Sequence, residues 1–112
     1  MSRHEDETRL GHMLDHAREA VALVKGRART DLDKDRLLNL GLVRLVEIVG
    51  EAANRVSKER QRQEENIPWP EIVGMRNRIV HGYDDVDFDI LWAVIRDDLP
   101  PLIKQLERTL GR

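Results

Sequence analysis

Apolar residues recur along this chain at helical spacing almost from its start. Between Glu7 and Lys25, the residues Leu10, Met13, Leu14, Ala17, Val21 and Val24 share one face, and Gly26 supplies a C-terminal stop. The stretch R-A-R-T-D then reads as a loop, with Thr30, Asp31 or Asp33 available to cap the next helix. A long second helix is predicted from about Lys34 to Arg60. Its apolar set is Leu37, Leu38, Leu40, Leu42, Val43, Leu45, Val46, Ile48, Val49, Ala52 and Val56, which covers more than one stripe. Such a helix must be buried on two sides, in the centre of a bundle or at a dimer interface. Gly50 would let a neighbouring helix come close, although a glycine in mid-helix costs about 1 kcal/mol relative to alanine.

After Val56 the sequence S-K-E-R-Q-R-Q-E-E-N turns polar, which predicts a helix end and a solvated connector. Pro70 sits at a plausible first helical position, and a third helix is expected from there to Gly82. Asp84, Asp85, Asp87 and Asp89 make an acidic loop, with one of the last two capping a fourth helix that carries Ile90, Leu91, Val94, Ile95 and Leu99. Pro100-Pro101 should kink or break that helix before Leu102, Ile103, Leu106 and Leu110 resume the pattern. No strand pattern, repeat or low-complexity segment interrupts the series. The expectation is an all-α fold, an up-and-down bundle of four to five helices forming one domain over residues 1–112, and a dimer.

Composition narrows the function classes. Charged residues make up 36% and hydrophobic residues 40%, which suits a soluble, mostly helical domain rather than a disordered segment. No apolar run approaches the roughly 18 residues that a membrane span needs, and M-S-R-H-E-D-E is too charged for a signal peptide. The absence of cysteine excludes disulfides and thiolate metal sites and fits a cytoplasmic location. A net charge of −2 gives no global attraction for nucleic acid, so any such binding needs a local patch. Fifteen of the 19 basic residues are arginine, the side chain suited to gripping phosphates with paired donors.

One segment concentrates the chemistry. M-R-N-R-I-V-H-G-Y, residues 75–83, holds two arginines, an asparagine, a tyrosine and the only histidine in the second half of the chain. RNA is cut without metal when a base removes the 2′-OH proton and cations hold the phosphate as charge develops. Histidine titrates near neutral pH, and arginine remains charged while binding phosphate oxygens. In a continuous helix, however, positions five apart are separated by roughly 140° about the axis, so Arg76 and His81 would face apart. Asn77 and Arg78 would instead flank His81. A site using both Arg76 and His81 is easier to assemble across a two-fold interface. The spacing alone has little weight: with 15 Arg and four His, an Arg five before some His arises by chance about half the time. A His-Gly pair at a helix end also serves as an ordinary cap favoured by the helix dipole.

Other clusters read as structural. His12 and His16 have an i,i+4 metal spacing with Asp15 nearby, yet no third ligand is evident and a solvated helix face is the simpler reading. Glu47 and Glu51 could form an acid–base pair or bind a cation, but Glu51 is better read as a supporting residue that orients an arginine. Trp69 and Trp92 are expected to anchor the core or an interface, and Asp97-Asp98 to form a solvated face.

The longer string I-P-W-P-E-I-V-G-M-R-N-R-I-V-H-G-Y resembles the signature region of the HepT-like toxins of the HEPN superfamily. That family carries R-x-x-x-x-H-x-Y, which Arg76, His81 and Tyr83 match, with polar Asn77 after the arginine. The similarity extends to I-V-G-E-A-A-N-R-V-S upstream and D-D-L-P-P-L downstream, and so covers most of the chain. The resemblance implies a helical homodimer that cleaves RNA, tRNA in studied members, without metal or other cofactor. It places Arg76 and His81 as catalytic residues in a cleft between protomers, supported by Asn77, Arg78 and Glu51. It further implies the toxin half of a type VII-like HEPN/MNT toxin–antitoxin system, silenced when a nucleotidyltransferase antitoxin transfers AMP to Tyr83. The acidic run Asp84 to Asp89 would oppose RNA unless it points away or binds the partner. The rival expectation is a non-catalytic helical module that only pairs with a nucleotidyltransferase.

Overall fold

A computed structural model describes residues 2–112. Helix α1 (Arg3–Leu23) starts where Ser2 Oγ accepts the Glu5 amide at 3.1 Å. Soon after its end, Gly26 adopts the left-handed conformation, φ 77°, that makes glycine a natural stop. A short turn of helix, α2 (Asp31–Lys34), precedes α3 (Arg36–Arg55). The cap of α3 is Asp35, whose side chain accepts the Leu38 amide at 3.0 Å, rather than Thr30, Asp31 or Asp33. Asp31 begins α2, and its side chain accepts from the Ala28 amide at 2.8 Å. Leu42, Leu45, Val46, Val49 and Ala53 of α3 are buried, but Leu37 is 83% and Leu40 48% exposed. The second apolar side of this helix is therefore open in the single chain.

The predicted helix ends at Arg55 rather than Arg60, and the polar connector contains a helix of its own, with Lys58, Glu59, Arg62, Gln63, Glu65 and Asn66 exposed as expected. Val56 turns to an extended conformation, Ser57 caps a new helix α4 (Lys58–Gln63), and Gln61 is buried. Its amide donates at 3.2 Å to the carbonyls of Ala53 and Val56 at the end of α3. The indole N–H of buried Trp69 donates in turn to the carbonyls of Gln61 and Glu64. Gln61 satisfies backbone groups at a helix junction, while most of the polar stretch around it faces solvent.

The predicted third helix is two shorter ones. Helices α5 (Trp69–Val73) and α6 (Met75–Ile79) are separated at Gly74, and the second stops at Ile79 rather than at Gly82. Asp87 accepts the Ile90 amide at 3.0 Å and caps α7 (Phe88–Ala93). A π-helical turn, Val94–Asp98, joins α7 to α8 (Leu99–Leu110) without the expected break. Pro100 and Pro101 directly follow the widened turn, as the second and third residues of α8, and bring no amides to it. The carbonyls their rings would strike in a tight helix belong to Arg96 and Asp97, inside the widened turn.

Side-chain links give the directions. Asp6 bonds Ser57 and Glu7 bonds Arg60, so α1 and α3 run antiparallel. Arg18–Glu107 and Asp15–Arg112 make α1 and α8 antiparallel as well. The α5–α6 pair returns along α3, with Arg76 beside Glu47 and Asp84 beside Arg36. All these segments contribute to a single apolar core, including Leu10, Leu14, Leu42, Met75, Ile79, Leu91, Ile95 and Leu106. The all-α bundle is as expected. Among the described residues no helix is long and apolar enough to cross a membrane.

One polar joint lies within this packing. Asp6, 5% exposed, accepts from the Ser57 amide at 2.9 Å and from Ser57 Oγ at 2.7 Å. Burial pushes the Asp6 pKa up, but the two Ser57 hydrogen bonds and the Arg60 charge outweigh it and hold the carboxyl below its ordinary range.

Candidate active site

Helix α6 is short, and its two buried residues decide what it shows to solvent. Met75 and Ile79 point into the core at i,i+4, which turns Arg76, Asn77 and Arg78 outward. Gly50 allows the preceding turn to lie against α3: a Cβ there would sit 3.2 Å from the Ile72 carbonyl oxygen and 3.5 Å from that of Val73. The close approach brings Arg76 over the outer face of α3. There Arg76 Nε donates to Glu47 Oε2 at 3.3 Å. The other oxygen of Glu47 accepts from Arg44 Nη1 at 2.9 Å, and the same nitrogen lies 3.4 Å from Glu51 Oε1. The Glu47 hydrogen bond holds the Arg44 pKa above its ordinary value, against slight desolvation and helped by the charge of Glu51.

His81 does not end a helix. Val80 is extended, with φ −108° and ψ 116°, and pairs with Val86 in an isolated antiparallel bridge. The His81 amide donates to the Asp85 carbonyl at 2.8 Å, and the Asp87 amide donates to the Ile79 carbonyl at 2.8 Å. Residues 80–86 thus form a tight hairpin-like loop that departs from the end of α6. Glycines with positive φ among the described residues are Gly26 and Gly111, so Gly82 is not a left-handed cap. A Cβ at Gly82 would meet nothing within 4 Å, and nothing in the structure explains a glycine at this position.

The helical-wheel argument for separating Arg76 from His81 therefore does not apply, since the helix stops between them. The separation itself remains. Arg76 is turned toward α3, whereas His81 lines an open groove of about 610 Å³ together with Arg78, Asp89, Ile90, Ala93, Val94, Asp97 and Asp98. Arg78 and His81 share this groove, and Arg78 Nη2 donates to Asp98 Oδ2 at 3.2 Å. Tyr83 stands at the loop tip, fully exposed. Asn77 is exposed on the outer side of α6.

The acidic run is largely engaged. Asp84 pairs with Arg36 at 3.4 Å, Asp87 caps α7, and Asp89 accepts from Arg29 Nε at 2.6 Å. That last bond is the main reason the Arg29 pKa lies above its usual value. Trp69 belongs to the core; Trp92 is partly buried against it and lies beneath the guanidinium of Arg96, 5.5 Å from the ring centroid. His16 Nδ1 is 2.7 Å from the His12 carbonyl oxygen. Among the described residues no group of three or more His, Asp or Glu side chains is placed to hold a metal ion.

Two residues of the cluster escaped the sequence reading. In the sequence Glu47 pairs with Glu51, and nothing ties Arg44 to the motif. The i,i+3 and i,i+7 spacing of Arg44 to two glutamates was visible. That Arg76 would join them from another helix was not.

Comparison with known proteins bears on this arrangement. A protein of Caldanaerobacter subterraneus subsp. tengcongensis named "Putative RNase" is 37% identical over 103 residues, covering 92% of each chain. A "Probable ribonuclease HepT" of Thermococcus cleftensis is 30% identical, covering 85% of this chain and 90% of its own. A further "Putative RNase" of Methanocaldococcus jannaschii is 27% identical over 96% of this chain and 98% of its own. No solved structure matches the chain significantly. The model of the family described as "Ribonuclease HepT-like" matches residues 13–109, which include α3, α6, the His81 loop and nearly all of α8. This chain belongs to the HepT-like ribonuclease family.

Proposed function

We propose that this HepT-like protein is a metal-independent RNA endonuclease, with tRNA as its substrate class, acting as the toxin of a HEPN/MNT toxin–antitoxin pair. The observation that carries this reading is the exposure of Arg76, His81 and Tyr83 together on α6 and the loop that follows it, in a chain of a ribonuclease family. His81 is the acid–base residue: its imidazole takes the 2′-OH proton, O2′ attacks phosphorus, and the bond to the 5′ oxygen breaks as that oxygen takes a proton from water. The products are a 2′,3′-cyclic phosphate and a 5′-hydroxyl. Arg76 holds the phosphate as charge accumulates on it, and its terminal nitrogens are not those engaged by Glu47. Asn77, Arg78 and Glu51 border the site as supporting groups.

The Arg76 and His81 faces of one chain differ, so the working site is formed by a homodimer. Leu37, Leu40 and Arg44 lie at i, i+3 and i+7 of α3, and the exposure of both leucines supports an interface on that side. The antitoxin, a nucleotidyltransferase, transfers AMP from ATP to the Tyr83 phenol oxygen and releases pyrophosphate. The exposed phenol is accessible to such an enzyme, and an added phosphodiester would repel RNA. The direct test is cleavage of labelled tRNA with and without EDTA, with His81→Ala as control. Cleavage that survives EDTA and disappears in His81→Ala is expected. Strict Mg²⁺ dependence would overturn the chemistry, and a non-toxic, non-cleaving wild type would favour a pure binding module.

A further inference from the structure

We propose that Arg44 is a second phosphate-gripping arginine of this RNA site, and that Glu47 is the positioning residue that holds Arg44 and Arg76 beside one another. The inference rests on the proposed RNA-cleaving reading and assigns the electrostatic support of its phosphate site.

Three observations carry it. First, the two guanidiniums bind opposite oxygens of one carboxylate, Arg44 at Oε1 and Arg76 at Oε2. Two cations brought to one place repel, and a shared carboxylate is what allows them to stay there. Second, each arginine spends only part of its donor set. Arg76 uses Nε on Glu47, and Arg44 uses one terminal nitrogen on both glutamates. Among the described residues no other hydrogen bond engages these two guanidiniums, and in the single chain the side chains of Arg44 and Arg76 are 59% and 48% exposed. Third, the two carboxylates on Arg44 are unequal. Glu47 is 28% exposed and 2.9 Å away, whereas Glu51 is 57% exposed and 3.4 Å away.

The inequality assigns the roles. Glu47 is held between two helices and has little freedom to leave. Glu51 holds Arg44 loosely and occupies the position that a phosphate oxygen would take. An arriving phosphate displaces Glu51, keeps Glu47, and is met by free donors from both arginines. The exchange replaces one anion by another at Arg44, so it needs no burial of uncompensated charge.

The test uses labelled tRNA and the full-length protein, with binding measured in a His81→Ala background so that cleavage does not interfere. Binding is followed against salt concentration, because each phosphate contact adds about 0.7–0.9 to the slope of log affinity against log salt. Arg44→Gln is expected to lower the slope by about that amount. Lys104→Gln on α8 reports what removal of an unrelated surface charge does, and an equal change in both variants would overturn the inference. Glu51→Gln is expected to tighten binding a few-fold, and Glu47→Gln to weaken it by less than about threefold. Loss of affinity in both would refute the division of roles.

With His81 present, Glu47→Gln should lower kcat about tenfold with KM changed by less than about threefold, and Glu47→Asp should recover most of the loss. Thermal melts of each variant separate these effects from unfolding. If wild type cleaves, His81→Ala does not, and Arg44→Gln equals wild type in both rate and slope, this inference fails while the proposed function stands. If wild type neither cleaves nor binds tRNA, both fall.

Discussion

Replacing Asp6 by alanine should remove a large part of the stability of this chain without touching the candidate site. Asp6 is 5% exposed and accepts from the Ser57 amide at 2.9 Å and from the Ser57 hydroxyl at 2.7 Å. Hydrogen bonds to a charged group contribute about 1.5–3 kcal/mol each, offset here by the cost of desolvating the carboxylate. The net loss is about 2–3 kcal/mol, including the penalty for leaving donors of Ser57 without their partner. For a chain of this length that corresponds to a Tm lower by roughly 10 °C. Urea unfolding at neutral pH should show a lower midpoint with an unchanged slope. The pH dependence has a definite sign. The folded-state pKa of Asp6 lies below its ordinary value, so its contribution is fully present above about pH 4 and is lost as pH falls through the folded value. The gap between wild type and Asp6→Asn should therefore narrow on acidification, since asparagine does not titrate. A gap that stays constant from about pH 6 to pH 3, or a loss below about 0.5 kcal/mol for Asp6→Ala at pH 7, would refute the reasoning.

Tyr83→Phe should retain RNA cleavage while losing AMP acceptance, because only an exposed phenol oxygen is removed. Intact mass after incubation with a cognate nucleotidyltransferase and ATP checks this, and an undiminished mass gain in the Phe variant would move the acceptor elsewhere. Leu37→Glu should leave the monomer fold intact, since Leu37 is 83% exposed, but should dissociate a dimer built on that face of α3. Light scattering at micromolar concentration reads the outcome, and an unchanged dimer would place the interface elsewhere. Gly50→Val should cost about 1–3 kcal/mol, because the side chain meets the Ile72 carbonyl 3.2 Å from its Cβ. Cleavage should fall with it as α5 and α6 are pushed from α3, and full activity with unchanged stability would show that the close approach is dispensable.

The apolar periodicity made the helices legible wherever a stripe met the core. Leu10, Met13, Leu14 and Ala17 marked α1, and the run from Leu38 to Ala53 marked α3, because burial and period agree there. Junctions were less legible. Val56 and Ser57 divide two helices although both flanks have good helix formers, and the division depends on Asp6, 51 positions away, as well as on nearby Gln61. The stop at Ile79 had no local breaker either; it follows from the pairing of Val80 with Val86 across the loop. At the site, the motif residues were visible as types and spacings. Their partners were not, since Glu47 meets Arg76 across 29 positions and only tertiary packing brings them together.

The π-turn between α7 and α8 has a consequence for register. Buried Leu91, Ile95 and Leu99 follow one another at intervals of four. In a regular α-helix each such step overshoots a full turn by roughly 40°, so two in succession would drift away from the core. The wide turn at Val94–Asp98 absorbs the surplus, and Leu102 and Leu106 resume on the inner face. It is in effect a helix with one residue to spare. Removing one residue from this turn should restore ordinary α geometry and leave everything after it in phase. Leu102 and Leu106 would keep their places in the core, whereas Val94, Asp97 and Asp98 could no longer all keep theirs along the groove beside His81.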